Sequence, residues 1–181
     1  VTLRGLTLRN RTVVAPMCQY SAKDGFVNDW HFVHLGRFAL GGFGLVIVEA
    51  TGVVPEGRIS YADLGLWKDE QIAPLARIVD FLHSQGAAAG IQLAHAGRKA
   101  STPVSWHKPE DLTSAEQRQA LGYEHWQPVA PSAESHDPNN PDFQGPTELD
   151  RAGIQRVKDG FVDAAIRAKK AGFDTVEIHA A

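Results

Sequence analysis

The sequence predicts an α/β fold on parallel strands, the N-terminal half of a (β/α)8 barrel. It should hold four parallel strands, three helices, an N-terminal hairpin and a long loop after the third strand. Three observations carry this reading. Strand-like and helix-like stretches alternate in the order β-α-β-α-β-α-β, and each crossover is long enough for parallel pairing. The first strand-helix turn holds Met17-Cys18-Gln19-Tyr20 where a doubly wound dinucleotide fold would carry G-x-G-x-x-G. The last stretch, Phe173 to Ala181, alternates: Val176 and Ile178 share one face, and Thr175, Glu177 and His179 share the other. A barrel strand packs its outer face on helices and can carry polar groups inward near the mouth, which favours the barrel over an open sheet.

The elements follow in order. Leu3 to Leu8 alternates around Gly5 and reads as a short hairpin or cap. Thr12 to Met17 is an apolar run, a buried strand closed by Pro16. Residues 18–28 form a loop, and Asn28 or Asp29 can cap a helix from Trp30 that ends at Gly41-Gly42. Gly44 to Ala50 is the second strand, continuous and β-branched as fully buried parallel strands are. Asp69 can cap the next helix, whose Ile72, Leu75, Val79 and Leu82 share a face. Gly86 ends it, and Ala87 to Leu93 is the third strand.

Residues 99–146 are rich in proline and hold Trp106 and Trp126, with a short helix expected near Ser114 to Leu121. Loops this long in a compact domain usually serve a site or a partner. Thr147-Glu148-Leu149-Asp150 fits a capping box. Ile154, Val157, Phe161, Ala165 and Ala168 make the buried stripe of the helix that follows, and Gly172 ends it before the fourth strand.

Composition narrows the function. The 181 residues suffice for one core and one domain, here a partial barrel, since a whole one takes about 250. Net charge is −3 with basic residues scattered, which offers no electrostatic footprint for nucleic acid or anionic membrane. The most apolar stretch, Phe38 to Val48, is far shorter than the roughly 20 residues of a spanning helix. Cys18 is the one cysteine, so no internal disulfide forms, and a reducing compartment, the cytoplasm, is expected. Val1 opens in strand-like sequence without an initiator Met, and no turn or helix follows His179, so both ends read as cut ends.

Four strand ends deliver polar or unusual residues: Cys18 and Tyr20, then Ala50-Thr51, then Gln92 and His95, then His179. In a barrel these converge on one mouth. Singly, none persuades. A lone cysteine is most often a buried small hydrophobe, Tyr20 is an ordinary half-buried aromatic, and a buried Gln92 amide needs partners that backbone can supply. His179 could be a satisfied core histidine, but its place at the mouth favours a site. His31 and His34 lie three apart on a helix without further ligands at metal spacing. Ser132, Ser135 and His136 lack a nucleophile elbow.

Taken together, Ala15-Pro16-Met17-Cys18-Gln19-Tyr20, Glu49-Ala50-Thr51, Ile91-Gln92-Leu93-Ala94-His95-Ala96-Gly97-Arg98 and Glu177-Ile178-His179-Ala180-Ala181 resemble the Old Yellow Enzyme family of flavin-dependent ene reductases. The cysteine after Pro-Met points to the bacterial xenobiotic-reductase branch. The resemblance implies an FMN-binding barrel that takes hydride from NADPH or NADH and reduces the C=C bond of small enone-type substrates, working as a homo-oligomer. By position it implies that Ala15, Pro16, Met17 and Cys18 line the flavin, with the Cys18 thiol near the ring. Ala50 would meet the flavin through its backbone, and Gln92 would bond the pyrimidine side. Tyr20 and His179 would contact substrate, His179 polarising its carbonyl oxygen.

In the family a second histidine follows three places after His179, then a proton-donating tyrosine, and the phosphate loops lie after strands seven and eight. None is in this sequence. The 181 residues alone are therefore expected to bind FMN weakly and not to turn over. Two rivals stand beside this reading. One is a half-barrel assembly module that completes itself with a second chain. The other is a further flavin reaction of the same family, such as dienoyl-CoA reduction, whose iron-sulfur cluster Cys18 alone could not bind.

Overall fold

A computed structural model describes residues 1–107, 114–120, 123 and 125–180. Its centre is a parallel sheet of β3 (Val13–Val14), β4 (Leu45–Gly52), β6 (Ala88–Ala94) and β9 (Thr175–Ile178), in that order, with β5 (Leu64–Gly65) pairing the far end of β4. Helices α1 (Asp29–Leu40), α2 (Ile72–Ser84) and α4 (Arg151–Lys170) make the crossovers. The four expected parallel strands and three expected helices are therefore present, as half of a (β/α)8 barrel requires. An antiparallel hairpin, β1 (Thr2–Leu3) and β2 (Leu6–Thr7), turns at Arg4-Gly5 and lies beside Asp174 and Thr175, at the N-terminal end of β9.

Register separates the two faces. Val46, Ala89, Val48 and Ile91 stand on one side with Leu93, and all five join the core with Leu35, Leu75, Ile78, Val79, Leu82, Ala164 and Ala168 from the helices. Ile47, Gly90 and Thr175 align on the other face, followed by Gln92 beside Glu177. A Cβ on Gly90 would come within 2.9 Å of the Thr175 methyl and 3.2 Å of Ile47, so this inner layer is already packed there.

α1 has its cap at Asn28, whose side chain accepts from Trp30 N–H while Asn28 N–H donates to His31 Nδ1. Arg9 ties the N-terminal ends together. Its guanidinium donates to the carbonyls of Ala39, Phe43 and Gln85, so it sits on the C-terminal turns of both α1 and α2. Arg9→Ala should cost about 1.5 kcal/mol, the group being largely exposed, and Arg9→Lys should recover only part. The midpoint of urea unfolding measures both.

Several sequence expectations are corrected. The run from Thr12 to Met17 is ordered as a strand only at Val13–Val14, because β3 has a neighbour on one side alone and Pro16 has no N–H to give. Asp69 does not cap α2: its carboxylate pairs with Arg167 at 2.7 Å and Lys170 at 3.8 Å, while the Gln71 side chain accepts from Trp67 and Lys68 N–H. α4 starts at Asp150, which accepts from Gly153 N–H at 2.7 Å. Thr147 instead belongs to β8 (Thr147–Glu148), paired with β7 (Val129–Ala130). α4 is buried chiefly toward its C-terminal end: Ile154 is 46% exposed while Ala164 and Ala168 are buried. Val176 and Ile178 lie on the helix side as expected, yet are 38% and 65% exposed, with no described helix over them. The short helix in the long loop is α3 (Ala115–Ala120); Leu121 lies outside the described residues.

Candidate active site

The C-terminal edge of the sheet carries a continuous polar arc, built strand by strand. β3 feeds the segment Ala15 to Tyr20, in which Ala15 is exposed, Pro16 half-buried, and Met17 51% exposed although large and apolar. Gln19 pins this segment: its N–H donates to Glu49 Oε2 at 3.1 Å and its amide donates to the Met17 carbonyl. Tyr20 sits in the left-handed region at φ +47, which costs energy for a side chain of that size and is characteristic of functional loops. Its ring meets Trp106 edge-on, with centroids 5.9 Å apart.

β4 and β6 fall out of register between Val48 and Thr51. Val48 pairs with Ile91 and Thr51 with Leu93, so Glu49 and Ala50 together oppose Gln92. This is a β-bulge, a device that re-aims side chains beside active sites. The Ala50 backbone and the Tyr20 hydroxyl lie beside the Cys18 sulfur, and both favour its ionised form against the burial that opposes it. On the next strand, Gln92 Nε2 donates to Glu177 Oε1 across β6 and β9. His179 lies two residues past Glu177 on the same face, its backbone N–H donating to the Leu93 carbonyl.

Buried acid-base groups back the arc. Burial lifts the Cys18 thiol to about 11, with the nearby Asp63 and Glu49 carboxyls adding to it. Tyr20 is lifted to about 12, again by burial first and then by Cys18. Glu49, 5% exposed, is raised to about 8 by burial, and Asp63, 3% exposed, to about 6 for the same reason. His31, 1% exposed, is lowered to about 4 by burial. At neutral pH the cluster thus holds a neutral thiol, a neutral phenol, a neutral imidazole, a largely protonated Glu49 and a largely ionised Asp63.

The residues singled out from sequence are carried by neighbouring strands. Cys18, Tyr20 and Ala50 form one contact group, and Gln92 opposes the bulge that holds Ala50. His179 ends the adjacent strand. Gln92 meets Glu177, which the sequence reading left unassigned, as it did Glu49 and Asp63. Two signals were available: Glu49 interrupts the apolar run Leu45 to Val48, and Glu177 alternates with Thr175 and His179. His31 and His34 do not form a metal pair; His31 faces Glu49, and no cluster of three ligating side chains exists among the described residues. A groove of about 520 Å³ between the β4 end and α4, lined by Val53, Trp67, Arg156 and Arg167, contains none of the predicted site residues.

Parallel strands with helical crossovers, and polar side chains gathered at their C-terminal ends, define the β/α-barrel class. Comparison with known proteins places the chain within that class. It belongs to the NADH:flavin oxidoreductase / NADH oxidase family, whose family model matches residues 1–181. It is 47% identical over 182 residues to an NADH:flavin oxidoreductase of Gibberella zeae, covering 100% of this chain and 42% of that one. It is 46% identical over 182 residues to an NADPH dehydrogenase of Geobacillus thermodenitrificans, covering 99% and 46%. The fold superposes on morphinone reductase with a TM-score of 0.77 at 30% identity, covering 98% of this chain and 46% of that one. An Old Yellow Enzyme homologue from Zymomonas mobilis gives 0.75 at 28%, covering 99% and 46%. The chain therefore spans about half the length of the relatives it matches. No described helix is long and apolar enough to cross a membrane.

Proposed function

We propose that this arc is the flavin and substrate face of an FMN-dependent ene reductase that takes hydride from NADPH or NADH and reduces the C=C bond of small α,β-unsaturated carbonyl compounds. The observation that supports it best is the alignment of Cys18, Ala50, Gln92 and His179 on four neighbouring strand ends within a member of the flavin oxidoreductase family. The residues fit such a group. Gln92 offers both a donor and an acceptor, as the amide edge of an isoalloxazine demands. Met17, large, apolar and half exposed beside Ala15, supplies surface that a flat ring would cover.

In this reading Ala15, Pro16, Met17 and Cys18 line the ring, Ala50 meets it through its backbone, and Gln92 holds its pyrimidine side. FMN, when bound, supplies the hydride chemistry. The chain's own contribution is orientation and charge. His179 donates a hydrogen bond to the substrate carbonyl oxygen, where negative charge grows during reduction. Tyr20, kept protonated, presents its hydroxyl beside the same substrate. The strained backbone at Tyr20 and the Cys18 sulfur fix that hydroxyl in place. A homo-oligomeric, cytoplasmic enzyme completes the proposal; the single cysteine suits a reducing compartment.

The test is direct. The whole protein, purified, should be yellow and should oxidise NADPH when given 2-cyclohexenone; a colourless protein without turnover overturns the reading. Gln92→Leu should weaken FMN binding about tenfold, the value of one good hydrogen bond in a closed site. Flavin fluorescence titration measures it. The 181 residues alone should retain less than stoichiometric flavin after desalting.

A further inference from the structure

The buried pair Glu49–His31 takes no part in the chemistry above, yet it lies directly behind Cys18. His31 Nδ1 accepts from Asn28 N–H, so the neutral ring carries its proton on Nε2, which points at Glu49 Oε1 from 4.0 Å. Among the described residues neither Nε2 nor Oε1 has a hydrogen-bond partner. Such orphaned atoms are rare in interiors and costly. The other carboxyl oxygen, Oε2, is committed: it accepts from Gln19 N–H, the residue next to Cys18. Glu49 also precedes Ala50, whose backbone lies beside the sulfur.

We propose that Glu49, backed by His31, is a positioning residue for Cys18: its carboxyl fixes the segment that presents the sulfur, and its charge state sets how readily that sulfur ionises. The proposal rests on the assignment of Cys18 to the flavin face, although its test does not use flavin chemistry.

The coupling between Glu49 and Cys18 is electrostatic. Glu49, inside a bulge and walled by apolar strands, is poorly screened. A protonated Glu49 leaves Asp63 as the carboxylate acting on the Cys18 thiol; an ionised Glu49 adds a second negative charge behind it and further disfavours thiolate. The groups facing the pair come from three elements: His34 on α1, Asp63 ahead of β5, and Cys18 with Tyr20 in the segment after β3. Asp63 is the larger charged contributor at Cys18; Ser60 and the Ile59 N–H hold it and Arg58 lies nearby. Its transition is centred near 6, well below that of Glu49, so the two separate on a pH axis.

The experiment follows methyl methanethiosulfonate labelling of Cys18 in the protein as purified, read on the Cys18 peptide by mass spectrometry from pH 6 to 10. The reagent is small enough for a half-buried sulfur, and flavin content is recorded separately from the visible spectrum. In the wild type the log rate should climb with pH, lose slope around pH 8 as Glu49 ionises, then climb again. Glu49→Gln keeps an oxygen for Gln19 N–H but carries no charge. Its profile should show no break near pH 8, and at pH 9.5 it should label about fivefold faster, a shift of under one pKa unit. A wild-type line with no change of slope near pH 8 overturns the proposal, whether or not the variant folds. So does a Glu49→Gln profile that superimposes on the wild type. A colourless protein would sink the flavin reading and leave these outcomes intact.

Discussion

Gly65→Ala is expected to lower stability by about 3 kcal/mol, and Tm by about 10 °C, although it adds a single methyl group. A Cβ at Gly65 would lie 1.8 Å from the indole of Trp67, and one at Gly25 would lie 2.4 Å from the same ring. The two glycines are tied, Gly65 N–H donating to the Gly25 carbonyl at 3.0 Å, so they make a notch for the indole. The ring has no easy retreat. The Arg58 guanidinium lies 5.2 Å from Trp67 and 4.8 Å from Trp126 on the long loop. Arg58 is 7% exposed and donates to the Pro55 and Tyr61 carbonyls. Moving Trp67 therefore loosens a cation-π stack that anchors residues 125–127 over the β4 end. Gly5→Ala is the control: nothing lies within 4 Å of its added Cβ, and its stability should not change. Thermal unfolding of the two variants decides the matter; equal Tm values would contradict the notch.

The second large effect is a loss of stability on the alkaline side of neutrality, about 2 kcal/mol between pH 6.5 and 8.5, traced to Glu49. Its folded value, raised to about 8, exceeds the ordinary carboxyl value, so the native state holds a proton that the unfolded chain has lost. Stability from this group is complete below the unfolded pKa and drains away as pH rises to about 8. Asp63 acts in the same sense, but its window closes near 6. His31 has the opposite sign: lowered to about 4, it is neutral in the fold while the unfolded imidazole is protonated below 6.5, so it adds stability as pH rises from 4 to 6.5. Above 6.5 only Glu49 among these three remains in play, and about 1.5 units at 1.36 kcal/mol each give the stated loss. Glu49→Gln should flatten urea-unfolding stability across that interval. A variant whose stability still falls by the wild-type amount would place the titration elsewhere.

Much of the candidate site was legible in the sequence. Interrupted patterns marked it: Cys18 after Pro16-Met17, Gln92 in an apolar strand, and His179 alternating with valine and isoleucine. Glu49 carried the same signal, a carboxyl in a β-branched run, but sequence could not say whether it faced solvent, an ion pair or another buried group. The cap of α1 was narrowed to Asn28 or Asp29, because side chain and backbone partner lie within one turn, and the structure chose Asn28. The caps of α2 and α4 were misplaced because several polar residues stood near each start, and distant contacts chose among them: Arg167 drew Asp69 away, and β7 drew Thr147 into a strand.

The sequence by itself determined the order of elements, the parallel sheet and the two faces of each strand, since hydrophobic period and crossover length are local properties. Only the tertiary structure decided the bulge that sets Glu49 and Ala50 against Gln92, the Gln92–Glu177 bond, and the burial of Glu49 against His31. The reason is physical. Register and burial are fixed by neighbours far away in the chain, and a carboxyl's proton affinity depends on how much water those neighbours leave around it.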